Sequence, residues 1–362
     1  MRQPSTAGHT SPTTRFIAEG DWPAGPRNRW WGSLVITGTA GFLGSTLLKA
    51  LEDDSRYRHI LALDKQRPPF KLKKAKWIPV DLTETGADQK LADLFDKHHV
   101  QTVVHAALLT QPLRDIETAH EIQSVGTLQL LTASAAAKVH KLILASTTDV
   151  YGAFPDNPNF LTEDHQPKGS TLSPFLKDKV EVEEQFLNFA KKHPNKVMTI
   201  LRPATILGPT VNNFKTHFFQ NALVPIVMGF DPLIQFVHET DVLRAFFKVL
   251  EGDHPGIYNI VTKGVLPLSR AIRSMGKLPI PIPTFLLYPA AEMLWYMNIG
   301  MVPASHINFL KYLCVADGTK AWHKLKFKPI YTSQEALLSF IGKDLKKEEI
   351  AKRLEEIEDA QA

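Results

Sequence analysis

The sequence contains one cysteine, Cys314, and so has no means of forming an internal disulfide or a cysteine-based zinc cluster. No metal site is expected, and a chain so poor in thiols fits a reducing cytoplasm, which is the expected location. The chain also lacks an uninterrupted apolar run of about 20 residues, the length that a membrane-spanning helix needs. Its nearest approach, TFLLYPAAEMLWYMNIGMV, is broken by Pro289 and Glu292. Charge of one sign is not gathered in any block. The net +5 is spread along the chain, with modest clusters at Lys71 to Lys76 and Lys324 to Lys328 that read as solvated faces, so no nucleic-acid partner is expected. Residues 1–31 lack both sustained periodicity and the apolar core of a signal peptide. They read as a disordered tail in which Trp22, Trp30 and Trp31 offer docking points to the domain or to a partner.

What is present is a globular composition, 44% hydrophobic against 22% charged, in a chain long enough for one large domain or two that share a core. The stretch LVITGTAGFLG, Leu34 to Gly44, is an apolar run followed by a turn holding Gly38, Gly41 and Gly44. An apolar-periodic segment with Leu43, Leu47, Leu48 and Leu51 comes next, so the order is strand, tight turn, helix. Such a turn brings a helix N-terminus, with its free N–H groups and positive dipole end, against a pyrophosphate. A second apolar run, ILALD, ends in Asp64 roughly 20 residues after Gly44, where a ribose-binding carboxylate belongs in a dinucleotide fold. Asp64 would accept hydrogen bonds from the adenosine ribose and repel a 2′-phosphate, which favours NAD over NADP. Lys65 and Arg67 stand beside it as opposing charges.

Four more buried-type strands are expected, at Trp77 to Val80, Thr102 to Ala106, Lys141 to Ser146 and Val197 to Leu201. Helical patterns separate several of them, at Asp88 to Lys97, His120 to Ala137 and Pro174 to Lys191. Alternation of this kind predicts an α/β fold with a doubly wound parallel sheet, in which ligands sit at the carboxyl ends of the strands. Those ends carry Asp81-Leu82, His105-Ala106-Ala107 and STTDVYG, Ser146 to Gly152.

Taken in order, TGTAGFLG, the terminal Asp64, VDL, VVHAA, STTDVYG, LRPATILGP and FVHETDV resemble the extended short-chain dehydrogenase/reductases, the NAD-dependent epimerase/dehydratase family, over roughly Leu34 to Ile260. The resemblance implies a Rossmann domain and a smaller C-terminal substrate lobe. It implies that Gly38, Gly41, Phe42, Leu43 and Gly44 cradle the pyrophosphate and that Asp64 holds the adenosine ribose. Asp81 and Leu82 would contact the adenine, and Ala106 and Ala107 would line the floor beneath the cofactor. Pro203, with Arg202, Ala204 and Thr205, matches the loop covering the nicotinamide side, where Arg202 is expected to brace the loop. Thr147 matches the residue that holds the reacting oxygen, with Thr148 its neighbour by one register, and His105 is expected to be a packed strand-end residue.

The family's central pair is a tyrosine and a lysine four residues later on one helix, where the lysine lowers the tyrosine pKa and holds the nicotinamide ribose. The matching segment here is SPFLKDKVEVEE. Ser173 suits an N-cap, Pro174 the first helical position and Lys179 the lysine, with Glu183 one turn on. The tyrosine position is Phe175, and a phenyl ring has no proton to exchange. Tyr151, Thr147 or a substrate hydroxyl is left to carry the proton, unless the chemistry needs none. A second departure is Ser124, where the resemblance implies an asparagine that organises a water path.

Residues 32–205 plus 232–262 are expected to form the NAD-binding domain and 206–231 plus 263–340 the substrate lobe, with 341–362 a charged, exposed C-terminal helix. Asn212, Asn213, Lys215, His217 and Gln220 are placed to face a polar substrate. LPIPIP reads as a stiff extended connection, and the apolar run after it as a buried helix of the lobe or a dimer contact, with membrane-surface contact the second reading. The leading function is an NAD-dependent oxidoreductase or epimerase/dehydratase acting on a nucleotide sugar by hydride transfer. The rivals are a dehydrogenase of lipophilic, steroid-type alcohols or ketones, and a non-catalytic NAD-binding sensor or scaffold.

Overall fold

A computed structural model describes residues 32–57, 59–300 and 302–359, so the tail expected at 1–31, with Trp22, Trp30 and Trp31, lies outside the described residues. Seven short strands line up as one parallel sheet: β1 (Ser33–Thr37), β2 (His59–Asp64), β3 (Lys76–Pro79), β4 (Val100–His105), β5 (Lys141–Ala145), β6 (Val197–Pro203) and β7 (Gly256–Ile260). Their order is β7-β6-β5-β4-β1-β2-β3, the doubly wound arrangement expected from the alternating pattern. The flanking helices are α1 (Phe42–Glu52), α2 (Ala87–Lys97), α3 (Ile116–His120), α4 (Gly126–Ala136), α5 (Pro174–Lys192) and α6 (Glu239–Glu251).

Alternation along the strands divides the core. Leu34 and Ile36 of β1 point to the face covered by Leu47 and Leu48 of α1 and Phe246 of α6. Val35 points to the other face, against Leu91 of α2, Leu130 of α4 and Phe186 of α5. Both faces are therefore covered, which is why these strands read as continuous apolar runs. Phe186 and Phe246 are fully buried, and each contributes about 1.5–3 kcal/mol by area. Between α3 and α4 the helix widens into one π-helical turn, Glu121–Val125. Gly126 follows, and a Cβ there would come within 3.0 Å of the Leu82 side chain.

Past β6 the chain builds a smaller lobe. Asn213 accepts from the backbone N–H of Lys215 and Thr216 and so caps a short helix, Phe214–Gln220. The expected connection LPIPIP is instead a strand, Leu278–Ile282, paired in parallel with Leu223–Val227. Prolines are tolerated because its inward N–H groups are those of alternate residues, Leu278 donating to the Ala222 carbonyl at 3.1 Å.

The structure bears on two further expectations. The apolar run forms a helix, Thr284–Tyr296, but Leu287 is its one buried residue, and Phe285, Leu286, Met293 and Tyr296 are exposed. Apart from Glu292 it is apolar on every face, and a helix packed on one face leaves the rest outside. Arg114 ties its end to the sheet domain, donating to the Trp295 carbonyl at 2.9 Å and to the Gly300 carbonyl at 2.8 Å. The charged C-terminal helix, Lys347–Asp359, is docked rather than free. Ile350 and Ile357, two turns apart, bury against Ile330 and Tyr331, and Arg353 pairs with Glu335 at 2.8 Å. Among the described residues no helix is long and apolar enough to cross a membrane.

Candidate active site

Asp64, Asp81, Ala106 and Thr147 lie at or just beyond the carboxyl ends of the central strands, and Phe175 and Lys179 lie on α5. The turn after β1 is held by close backbone contact. Gly38 has φ +73°, and a Cβ on it would lie 2.4 Å from the Ala106 carbonyl oxygen; one on Gly44 would lie 2.2 Å from that of Gly38. A Cβ on Gly41 would meet only the Gly38 carbonyl oxygen, at 3.3 Å. No side chain caps α1, so its first-turn N–H groups are left for a ligand. The Asp64 carboxylate reaches into the same turn, accepting from the Ala40 N–H at 2.9 Å and the Gln66 N–H at 3.0 Å. Its two opposing charges are engaged elsewhere. Lys65 pairs with Asp81 at 2.7 Å, and the Arg67 guanidinium lies 4.8 Å from the centre of the Trp77 ring. Glycines forced by contact, an uncapped helix start and a carboxylate at the end of β2 fit a dinucleotide.

Leu82 and Ala106 bound this edge, the Leu82 carbonyl accepting from Gln129 at 2.9 Å and the Ala106 N–H donating to Thr37 at 3.3 Å. Ala107 follows directly, half-buried. Pro203, opposite Ile260, closes β6. His105 is wholly buried, hydrogen-bonded to Thr37 at 2.7 Å and Thr127 at 2.9 Å, and burial drops its pKa to about 3. It is the packed residue that was expected.

Beyond β5, Thr147 is half-buried and caps a short helical turn, accepting from the Asp149 N–H at 3.2 Å, whereas Thr148 is buried. The Lys179 ammonium donates to the Leu109 carbonyl at 2.8 Å and sits 4.8 Å from the centre of the Phe175 ring. Burial lowers its pKa to about 8, with Asp149 partly opposing. Ser173 caps α5 as its sequence implies.

Tyr151 is committed to buried partners. Its hydroxyl donates to Asn259 at 2.8 Å, accepts from Arg202 at 2.8 Å and is buried, which pushes its pKa up to about 12. Arg202 is itself held by Glu183, Nε donating at 3.0 Å, so the arginine braces the strand end. Ser124 donates to Glu181 and accepts from Gln185 at 2.8 Å, both on α5. The side-chain carbonyl oxygens of Gln185 and of the neighbouring Gln123 are buried and unpartnered, while the Gln123 amide reaches Asp178 at 3.4 Å.

Three groups at the site were not singled out for chemistry by the motifs. Asp149 forms a 2.6 Å ion pair with Lys215, which also donates to Thr205 at 3.0 Å. His306, on the turn Ala304–Leu310, packs its ring 6.0 Å from that of Phe175, 6.1 Å from Phe214 and 6.2 Å from Phe309, and its Nδ1 is buried without a hydrogen-bond partner. Burial lowers its pKa to about 4, with Asp149 opposing and Lys215 assisting. Cys314 donates to the Thr148 carbonyl at 3.6 Å, and burial raises its thiol pKa. Farther into the lobe, a cavity of about 350 Å³ is lined by Phe154, Asn157, Phe230, Lys311 and Tyr312 among others. Lys311 lies 4.8 Å from the Phe230 ring centre and 5.0 Å from that of Tyr312.

Known proteins share this architecture. An uncharacterized protein of Mycobacterium tuberculosis is 28% identical over 310 residues, 84% of this chain and 81% of its own. The dTDP-D-glucose 4,6-dehydratase of Homo sapiens is 28% identical over 255 residues, 63% of this chain and 69% of that enzyme. Among solved structures, DesIV, a dTDP-glucose 4,6-dehydratase from Streptomyces venezuelae with NAD and TYD bound, superposes with TM-score 0.68 at 20% identity, over 86% of this chain and 96% of that one. MoeE5 in complex with UDP-glucuronic acid and NAD gives TM-score 0.67 at 23% identity, over 86% and 98%. The model of the NAD dependent epimerase/dehydratase family matches residues 34–261, from the first strand of the central sheet past the last. That is well over half of the chain, which therefore belongs to the NAD dependent epimerase/dehydratase family.

Proposed function

We propose that the chain binds NAD across the carboxyl ends of the sheet and acts by hydride transfer on a nucleotide sugar, as an epimerase, dehydratase or related oxidoreductase. The observation that carries this reading is the convergence, at one sheet edge, of the glycine turn, Asp64, Thr147 and Lys179. Gly38, Gly41, Phe42, Leu43 and Gly44 hold the pyrophosphate in this reading, Asp64 the adenosine ribose, and Asp81 and Leu82 the adenine. Ala106, Ala107 and Pro203 wall the cofactor, Lys179 holds the nicotinamide ribose and Thr147 the reacting oxygen. When bound, the cofactor supplies a hydride acceptor and donor. Asp64, unpaired with Lys65 or Arg67, favours NAD over NADP.

The substrate class is supported by the neighbours, whose structures hold UDP-glucuronic acid or are dTDP-glucose dehydratases, and by the lobe cavity. Phe230 and Tyr312 offer stacking rings, and Lys311 a cation, to a nucleoside diphosphate. The lobe itself is assigned to 206–231 plus 263–340. A lipophilic alcohol is the second reading, favoured by the aromatic surface that Phe175, Phe214 and Phe309 present around His306. Thermal-shift titration decides between them: stabilisation by NAD, and further by UDP- or dTDP-sugars, is expected. Stabilisation by NAD and steroids with no response to any nucleotide sugar would reverse the choice, and NAD binding without reduction by any substrate would leave a sensor or scaffold.

A further inference from the structure

The usual proton carrier of this family is missing at Phe175, and the structure narrows what can replace it. Tyr151 is committed to Arg202 and Asn259. Asp149 and Lys215 are locked to each other. The Cys314 thiol is buried and directed at a backbone carbonyl. Thr147 is a neutral hydroxyl, a poor base at any physiological pH. Two titratable groups stand beside the phenyl ring: Lys179, whose ammonium donates to the Leu109 carbonyl and is assigned to the nicotinamide ribose, and His306.

We propose that His306, supplied by the C-terminal lobe, is the proton carrier that takes over from the absent tyrosine at position 175. The inference rests on the NAD-dependent reading above. Its ring lies against Phe175, whose own ring lies 4.8 Å from the Lys179 ammonium, so the phenyl group is shared between the ribose-binding lysine and the imidazole. The Nδ1 atom is buried with no hydrogen-bond partner, so no protein group fixes the protonation state of the ring through it. In the oxidative direction the substrate O–H bond breaks, and its proton passes to an imidazole nitrogen, giving imidazolium. The oxygen keeps the O–H electron pair and forms the carbonyl as the C–H hydride leaves for the oxidised nicotinamide dinucleotide. The substrate is oxidised and the dinucleotide reduced, and the reverse transfer returns both. His306 starts neutral because burial disfavours its charged form. The charged groups facing it set the balance: Lys215 disfavours imidazolium, and Asp149 favours it.

The test uses the full-length chain labelled with [2-¹³C]histidine, with His306→Asn used to assign the His306 Cε1–H resonance. We expect that resonance to titrate well below the ordinary histidine range and to move when NAD alone is added. With NAD plus UDP-glucose or dTDP-glucose, His306→Asn is expected to lose about 10²–10⁴-fold in turnover, the size of a lost general acid–base, with the NAD Kd changed by less than about threefold. The double variant Phe175→Tyr/His306→Asn is expected to regain a large part of that loss, which a merely structural histidine would not allow. An unmoved His306 resonance at saturating NAD, or wild-type turnover by His306→Asn, overturns the proposal while leaving the NAD reading intact. Failure of the wild-type chain to bind NAD overturns both.

Discussion

Removing Glu183 should cost far more than an ordinary surface charge. Its carboxylate accepts from Arg202 Nε at 3.0 Å and 3.1 Å and from the Ser146 hydroxyl, and the two ionic side chains are 1% and 2% exposed. Glu183→Leu would leave the Arg202 guanidinium buried with only Tyr151 to accept from it. Breaking a buried pair from one side costs about 3–5 kcal/mol, because an uncompensated charge stays out of water. For a chain of this size that is a Tm fall on the order of 5–10 °C. Glu183→Leu/Arg202→Met removes both charges at similar volume, and such replacements are often close to neutral. The double variant should therefore recover most of the loss, with a coupling energy of at least about 2 kcal/mol between the sites. Urea unfolding of the four proteins in the cycle, at pH 7 and constant salt, measures it. Losses that add within about 0.5 kcal/mol would refute the reasoning, since independent sites behave that way. Neither residue has a place at the ligand surface in our reading, so the NAD Kd of the double variant should stay within about threefold of wild type, a difference under about 1 kcal/mol.

Phe175→Tyr should leave NAD affinity nearly unchanged in a fluorescence titration; a tenfold change would mean that the α5 register had been misread. Gly44→Ala should abolish NAD binding and lower stability, because its Cβ would lie 2.2 Å from the backbone oxygen of Gly38, and calorimetry together with thermal melting checks both. Asp64→Ser should improve binding of NADP relative to NAD, visible as a reversed order of thermal shifts, since the carboxylate that repels a 2′-phosphate is gone. Stability should fall as pH drops below about 6.5, the ordinary histidine value. His105, with a folded pKa of about 3, is neutral in the native state while its unfolded form takes up a proton, so the loss grows by up to about 1.4 kcal/mol per pH unit until the folded pKa is reached. Urea midpoints at pH 7 and 5 should show a smaller drop in His105→Gln than in wild type; equal drops would mean that His105 does not contribute.

The parts of the molecule that were legible in the sequence are those in which cause and effect lie within one or two turns of chain. The strand, glycine turn and α1 follow from residues 34–52, and Phe175 with Lys179 from a single helix face. His306 had no such signal. It stands in a short turn far from Phe175 in sequence, and the only hint of it was the missing hydroxyl. The strand at Leu278–Ile282 was hidden because whether a proline interrupts pairing depends on which edge it faces, and that is set by a partner more than 50 residues earlier. The docking of the C-terminal helix turned on two isoleucines, Ile350 and Ile357, in an otherwise charged segment. Tyr151 stood among the candidate proton carriers because its partners, Asn259 and Arg202, reach it from two other strands.

The two-stranded pairing in the lobe has a consequence for how the protein behaves in a crowded solution. The Leu278 N–H and the Ile282 carbonyl turn toward the neighbouring strand, so the residues between them that face outward are Pro279 and Pro281. On the partner strand the inward groups are those of Ala222 and Met228, which turns Pro225 outward as well. One outer edge thus presents carbonyls but no N–H groups along its middle, and the other is interrupted at its centre. A foreign strand arriving at either edge finds no continuous ladder to extend. Three prolines make this small sheet a poor template for edge-to-edge association, even though its exposed residues, Leu223, Leu278 and Ile280, are apolar.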